Sequence, residues 1–545
     1  MPRGVRTRHA LLLVAALAAA LALPPSAGAQ PAGSACREFP ETGHAVCHGF
    51  LAYWNQFGGL PLFGYPLTDE MTVDGTVVQY FERARFEWHP GVAPDRHDVL
   101  LGLLGTEQTD GWRSVPPFQP AAARTDARYF PQTGHNIAGP FRTYWETAGG
   151  LPLFGYPLSE PYTDHGTTIQ YFERARFELH PGASPRTADV LLGLLGAEQL
   201  RARTLETVAT GLRNPRGIAV APDGTIYVAE AGNGGNTVCI PGPEGSDVCF
   251  GNSGAIVRIR GGSVERPVTG LPSLASPDGR NAVGPQDAIV APDGTLYVLV
   301  GLGADPADRA RLPSSAAHLG QLLRIALNGT LTVVADLAAY EATHDPDGAG
   351  PDSNPYAMLL DGDRFVVVDA GANALLGVTM DGSIETLAVF PPFMTPAPPF
   401  LNLPPGTEIP AQSVPTSVVE GTDGAYYVSE LTGFPFPVGA ARLWRVVPGQ
   451  EPEVVATGFT DAIDLAVGPD GSLVVLEIAT YGLLAAQQGI ATGFLGQLAA
   501  DGTVVPILPN GLVTPTAFAR LPDGTFVATD RALSGDAARL VRIQP

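Results

Sequence analysis

Short apolar runs divided by Asp-Gly turns recur from Leu205 to the C-terminus. The clearest is VAPDGTIYVAE, Val220 to Glu230, which reads as the end of one strand, a tight turn and a second strand closed by an acid. The surrounding unit returns as Asn214–Glu230, Gly284–Val300, Asn354–Ala370, Val414–Glu430, Asp461–Glu477 and Thr514–Asp530. Pro215, Pro285, Pro355, Pro415 and Pro515 lead five of these units, and Ala462 takes that place in the fifth. Each pair of runs is followed by a further pair, such as AIVRIRGGSVERPVTG or QLLRIALNGTLTVVAD. Four short strands per unit, repeated in this way, predict a six-bladed β-propeller. The last unit stops after three strands at RLVRIQP, while Leu205–Leu212 stands alone ahead of the first. The two ends are therefore expected to close the ring together and remove an exposed edge.

A second pattern precedes this series. Phe39, Trp54 and His89 reappear as Phe130, Trp145 and His180, each 91 positions later, within a tandem duplication. In each copy GFLAYWNQFGG or its counterpart predicts a short amphipathic helix closed by glycine, and TVVQYFERARFEWHP predicts a hairpin turning near ERA. The GGLPLFGYPL between them is turn-rich. The fold expected is all-β dominated, a six-bladed β-propeller preceded by two small tandem α+β repeats. Its parts are a signal peptide at 1–29, repeats at 36–109 and 128–200, a linker at 110–127 and the propeller at 205–545.

Composition agrees with many short strands: 65 Gly and 52 Pro among 545 residues, with 16% charged. Arg3, Arg6 and Arg8 precede LLLVAALAAALAL and the small-residue pattern Ala27-Gly28-Ala29, which predicts export and cleavage before Gln30. No later segment is long and apolar enough to predict a transmembrane helix. In an exported chain the four cysteines predict two local disulfides, Cys36–Cys47 and Cys239–Cys249. The net charge is −22, and all 32 basic residues are arginine. This balance argues against nucleic-acid binding, and the missing lysine removes Schiff-base and P-loop chemistry.

Two resemblances rest on quoted stretches. FGYP, an acidic step, DGT and QYFERARFEWHP resemble LGFP-type repeats of exported bacterial proteins, with Arg-Ala where that family usually has Gly-Gly after FE. The likeness covers about half of each copy and implies attachment to the cell envelope. GLRNPRGIAVAPDGTIYVAEAGNGG and DSNPYAML resemble NHL-like propellers and, more closely, the ScyD/ScyE family of exported bacterial propellers. That resemblance spans Leu205–Pro545 and implies a fold and a compartment, not a reaction.

Function is expected on one face. The long insertions Ala231–Gly254, Gly301–Gly320, Ala338–Asn354, Pro391–Val414, Leu431–Ala440 and Ile478–Thr492 all belong to it, and the opposite face carries minimal turns. Glu230, Asp369, Glu430, Glu477 and Asp530 end the second strand of their units, with Val300 breaking the series. Acids repeated by blade geometry are expected to be structural strand-end caps. Exceptions to the repeat carry more information. Along the channel-lining row Gly217, Asp287, Ala357, Ser417, Asp464 and Ala517, the two acids stand three blades apart. Arg216, Gln286, Asp287, Tyr356 and Asp464 are the ligand-binding candidates, with Arg216 suited to an anionic ligand. Asp287 and Asp464 are metal candidates, as are Asp345, Asp347 and Asp352 in the loop HDPDGAGPDSNP. The pattern requires no cofactor, and Ca²⁺ is the one it would accommodate.

The paired aromatics Tyr53, Trp54, Tyr144 and Trp145 suit either a small core or stacking on sugar rings. His44, His89, His135 and His180 beside turns suit turn stabilisation better than metal ligation. No nucleophile motif is present, and no catalytic residue is assigned. The leading expectation is a secreted or envelope-associated binding protein whose partner is an envelope glycan, a surface protein or a small molecule. The alternative is a metal-dependent lactonase- or esterase-like hydrolase.

Overall fold

The computed structural model describes residues 36–183, 187, 189–242, 246–291, 293–326 and 328–544, so the signal-peptide segment lies outside the described residues. Strands dominate, as the alternating runs require. From Pro215 onward, six four-stranded antiparallel sheets follow one another, the first of them carrying a short fifth strand. Their innermost strands are Pro215–Val220, Pro285–Val290, Pro355–Asp361, Pro415–Glu420, Ala462–Val467 and Phe518–Arg520. Each packs against the next, and the last packs against the first, so the fold is a β-propeller with the inner strands around one axis. In the sixth sheet the outer place is taken by Glu206–Leu212, paired antiparallel with Ala538–Ile543.

Local chemistry explains the tight turns. In five sheets the Asp of the turn accepts a hydrogen bond from the N–H two residues on, as Asp223 does from Thr225 at 3.0 Å and Asp523 from Thr525 at 3.0 Å. The following glycine takes positive φ, +80° at Gly224, which favours glycine over residues with a Cβ.

The insertions are more structured than loops. The first is largely a strand extension, Asp247–Arg260, with Cys239–Pro241 pairing beside it and Cys239 bonded to Cys249. The third opens with the helix Leu337–His344, capped by Asp336, whose carboxylate accepts from Ala339 N–H at 2.9 Å. The fourth contains the hairpin Phe393–Pro396 with Glu408–Ala411, and the last carries the short helix Leu483–Gln487.

The two N-terminal copies share one element order: a hairpin, two short helices and a four-stranded sheet. The GGLPLF segment expected as turn is a helical turn, Gly59–Phe63 and Gly150–Phe154, because Leu62, Phe63, Leu153 and Phe154 must all reach one core. Tyr53, Trp54, Tyr144 and Trp145 are buried in that core, which spans both copies. The copies also exchange their trailing helices. Thr106 N–H donates to Glu173 O at 3.1 Å and Ala197 N–H donates to Glu82 O at 3.1 Å, a reciprocal pair. Gly105 and Gly196 permit it, since a Cβ at either would collide with the carbonyl of Phe172 or Phe81. The other disulfide, Cys36–Cys47, closes the open end of the first hairpin just before its helix. Among the described residues no helix is long and apolar enough to cross a membrane.

Candidate functional site

The strand-end acids are all buried. Each binds the segment that leads into the innermost strand of its own sheet. Glu230 accepts from Arg213 N–H at 3.0 Å, Asp369 from Asn354 N–H at 2.6 Å, Glu477 from Thr460 N–H at 2.7 Å and Asp530 from Val513 N–H at 2.7 Å. Glu430 accepts from the Ser413 hydroxyl at 2.7 Å. Arginines of the same sheet neutralise three of them: Arg266 on Glu230, Arg442 on Glu430 and Arg539 on Asp530. Burial raises the carboxyls of Asp369, to about 6, and of Glu430 and Glu477. These are cross-ties held by protein donors, although Oε2 of Glu477 has no hydrogen-bond partner among the described residues.

Asp287 and Asp464 line one cavity of about 220 Å³ together with Gly217, Ser417, Tyr356 and Ala517 on the inner strands. Both carboxylates stitch neighbouring sheets. Asp287 accepts from its own Ala288 N–H at 2.8 Å and from Met358 N–H of the next sheet at 2.9 Å. Asp464 accepts from the Ser417 hydroxyl at 2.8 Å, from Leu465 N–H at 2.9 Å and from Phe518 N–H at 2.9 Å. Burial holds Asp287 at about 7 and Asp464 at about 6. Ca²⁺ takes six to eight oxygens. Two carboxylates with every oxygen already accepting a protein donor do not fit it.

Asp345 and Asp347 are likewise spent on their own turn, accepting from Gly350 and Ala349 N–H at 3.2 and 2.9 Å, and Asp347 also holds Asn373 at 2.8 Å. Burial raises Asp352, one of whose oxygens has no hydrogen-bond partner. Among the described residues no group of three or more His, Cys, Asp and Glu is arranged to hold a metal ion. Glu341 was not legible in the sequence as part of this loop: it is 1% exposed, neither oxygen has a close hydrogen-bond partner among the described residues, and burial and then Asp369 hold it at about 8 against the lowering effect of the Asp352 N–H.

Above the channel, on the insertion-bearing face, a wider cavity of about 470 Å³ opens. Arg216, Gln286, Tyr356 and Asn354 line its floor side, and Leu302, Leu483 and Leu533 are among its apolar walls. Gln286 and Tyr356 line the channel as well, so the two spaces share a boundary. Arg216 is 5% exposed and, among the described residues, donates only to backbone carbonyls: Pro215 at 3.0 Å, Ala532 at 3.3 Å and Ala282 at 2.6 Å. Burial lowers its pKa from the ordinary value. Tyr356 is pushed up to about 12 by burial and stays neutral. The structure thus brings Arg216, Gln286 and Tyr356 to one mouth, and leaves Asp287 and Asp464 beneath it.

The last insertion has two faces. Leu483, Ala486 and Ala491 line the mouth, while Tyr481 and Ile490 pack on the N-terminal unit with Trp112, Phe118, Ile169 and Tyr171. The rings of Trp112 and Tyr481 are 4.2 Å apart, and the hydroxyls of Tyr162 and Tyr481 are 3.3 Å apart. Residues 110–127, expected as a linker, therefore contribute buried side chains to this junction. His165 of the second repeat completes it, contacting Glu477 and stacking on Phe494 at 4.1 Å. His44, His89, His135 and His180 each sit beside an acid, as His89 does with Glu87 at 3.1 Å and His180 with Glu178 at 3.2 Å.

No family model and no curated protein sequence matches the chain. Among solved structures it is similar to a catalytically inactive virginiamycin B lyase from Staphylococcus aureus with quinupristin, at 14% identity over 63% of this chain and 99% of that one, TM-score 0.34. It is also similar to a gluconolactonase from Xanthomonas campestris, at 10% identity over 63% and 89%, TM-score 0.38. A calcium-binding regucalcin from Agrobacterium tumefaciens aligns at 12% identity over 62% and 93%, TM-score 0.37. At these scores the likenesses decide nothing about the chemistry of this chain.

Proposed function

We propose that this protein is an exported binding protein: a six-bladed propeller of the ScyD/ScyE kind that takes up a small ligand at the mouth of its channel, carried by two LGFP-like repeats that associate with the cell envelope. The observation that carries the binding role is the cavity of about 470 Å³ on the insertion-bearing face, with a buried arginine in its wall. Residues from well-separated parts of the chain, Gly242, Ser246 and Val248 together with others within 276–286, 302–303, 354–356, 478–491 and 513–534, converge on it. Pockets of this size with a few polar groups among apolar walls are the usual form of small-molecule sites. The signal-peptide pattern and the two disulfides support an extracellular setting.

The test is a thermal-shift screen of envelope sugars, organic acids and other small metabolites against the full chain and against Ala486→Trp, which fills the mouth. A compound that raises the melting temperature of the wild type but not of the filled variant supports the reading. A screen without shifts, or with equal shifts in both proteins, overturns it. Envelope association is tested separately by co-sedimentation of the full chain with purified cell-wall sacculi.

A further inference from the structure

The charge of the mouth runs against the charge of the molecule. The chain carries 54 acidic and 32 basic residues, yet the mouth cavity is lined by Arg216 and Arg280 and, among the described residues, by no Asp or Glu. Arg280 is largely exposed and lies 3.6 Å from Asp278, which is outside the lining. Arg216 differs, being buried with no carboxylate in ion-pair contact among the described residues and with only neutral carbonyl oxygens around it. A buried guanidinium without a counter-charge is costly unless an anion completes it.

The neighbouring polar atoms define what accompanies the anion. Gln286 is 2% exposed, and its Oε1 has no hydrogen-bond partner; the Oδ1 of Asn354 has none either. Both side chains line the same cavity as Arg216, the two oxygens themselves being shielded from solvent. Gly301 clears the space they occupy, since a Cβ there would meet Asn354 Oδ1 and Gln286 Cγ. Amide oxygens accept, so they call for donors on the ligand. Leu302, Leu483, Ala486 and Leu533 supply a face for carbon and hydrogen.

Resting on the binding role proposed above, we infer that the mouth recognises a small hydroxylated carboxylate of the sugar-acid class. Its carboxylate sits on Arg216, and its hydroxyls donate to Gln286 and Asn354. Arg216 provides the charge-assisted contact that selects an anion. The two unpartnered acceptors select hydroxyls over a bare fatty acid, because a ligand lacking them leaves both amides unpaired in the complex.

Calorimetric titration of the full chain with D-glucuronate, its methyl ester, D-glucose and hexanoate tests this. D-glucuronate is expected to bind at least tenfold more tightly than each of the other three. Arg216→Gln is expected to bring glucuronate down to the level of its methyl ester, and Gln286→Leu to bring it down to the level of hexanoate. Because Arg216→Gln removes three backbone ties and can fail to fold, the ester comparison on the wild type carries the charge test alone. Equal binding of glucuronate and its ester overturns the inference and leaves a ligand site of neutral chemistry standing. No binding of any of the four overturns it too, and the thermal-shift screen then decides separately whether the binding role itself survives.

Discussion

His165 in the second N-terminal repeat lies with its Nε2 3.0 Å from Oε1 of Glu477 in the fifth sheet, while its Nδ1 lies 2.9 Å from Asp164 Oδ1. Glu477 occupies the strand-end position that arginines neutralise in three other sheets. In the sixth sheet the residue facing the acid across the ladder is Arg539, and in the fifth it is Phe494. His165 stacks on that Phe494 and supplies the missing cation from a different part of the chain. Coulombic attraction from Glu477 and Asp164 overcomes the burial that would discharge the ring, and holds His165 well above its ordinary pKa.

A group whose folded pKa is raised stabilises fully below its unfolded pKa and loses that contribution as pH rises through the folded value. For His165 the junction is firm at and below about pH 6.5 and loosens on the alkaline side. Burial raises Glu477 in the same direction, whereas Asp164 is lowered and gives way only in strong acid. Arg176, Glu178, His180, Tyr162, Tyr171, Tyr481 and Asp461 are the other titratable groups around the junction among the described residues. The protection of amides at 162–166 and 477–483, corrected for the intrinsic base-catalysed exchange rate, is expected to fall on raising the pH from 6 to 10. His165→Ala, which leaves Glu477 buried without its cation, is expected to cost about 3 kcal/mol and to abolish that pH dependence. Unchanged exchange in the variant would sink the assignment.

Gly217 and Asp287 are coupled by space. A Cβ at Gly217 would collide with the Asp287 carboxylate. Gly217→Ala is expected to destabilise by about 1–3 kcal/mol, and the penalty is expected to shrink in an Asp287→Ala background. A double-mutant cycle by denaturant unfolding reads the coupling. Strict additivity would mean that the carboxylate and the glycine do not constrain one another.

Glu341 gives a pH signature of its own. Its folded pKa of about 8 lies above the ordinary carboxylate range, so its stabilising contribution is complete in mild acid and disappears as pH rises through about 8. Glu341→Gln removes the titration. The variant is expected to melt several degrees above wild type at pH 9 and to show no such gain at pH 4.5, as measured by scanning calorimetry across that range.

The Cys239–Cys249 bond closes a hairpin whose neighbouring residues Gly242, Ser246 and Val248 line the mouth. Replacing both cysteines by serine is expected to cost about 2–3 kcal/mol, as a loop of this length implies. It is also expected to weaken any ligand that binds the mouth. Ligand affinity unchanged in a measurably less stable variant would show that the first insertion does not shape the site.

The repeated strands were legible because alternation and Asp-Gly turns are properties of neighbouring residues, and Asp223 needs only Thr225 to form its turn. That the five strand-end acids are structural caps was an expectation drawn from their repetition, whereas their donors, and the unpartnered Oε2 of Glu477, were not legible there. Other features were legible only as departures from a repeat, once one knew where to look. Position 165 is His where the first copy has Asp74, which is 92% exposed at its side chain, and Phe494 stands where an arginine would serve. Nothing near Arg216 in sequence announces that it lacks a carboxylate, because two of the three carbonyls it uses come from Ala282 and Ala532.

By itself the sequence determined the strands, their turns, the tandem duplication and the decorated face, since each depends on residues close together along the chain. Only the tertiary structure decided which acids are saturated and which buried groups stand without a partner. It also decided that a repeat ending near residue 200 is bound to a sheet beginning at Ala462. Burial and partnership are set by whatever packs from elsewhere, and between His165 and Glu477 that elsewhere is 312 residues away.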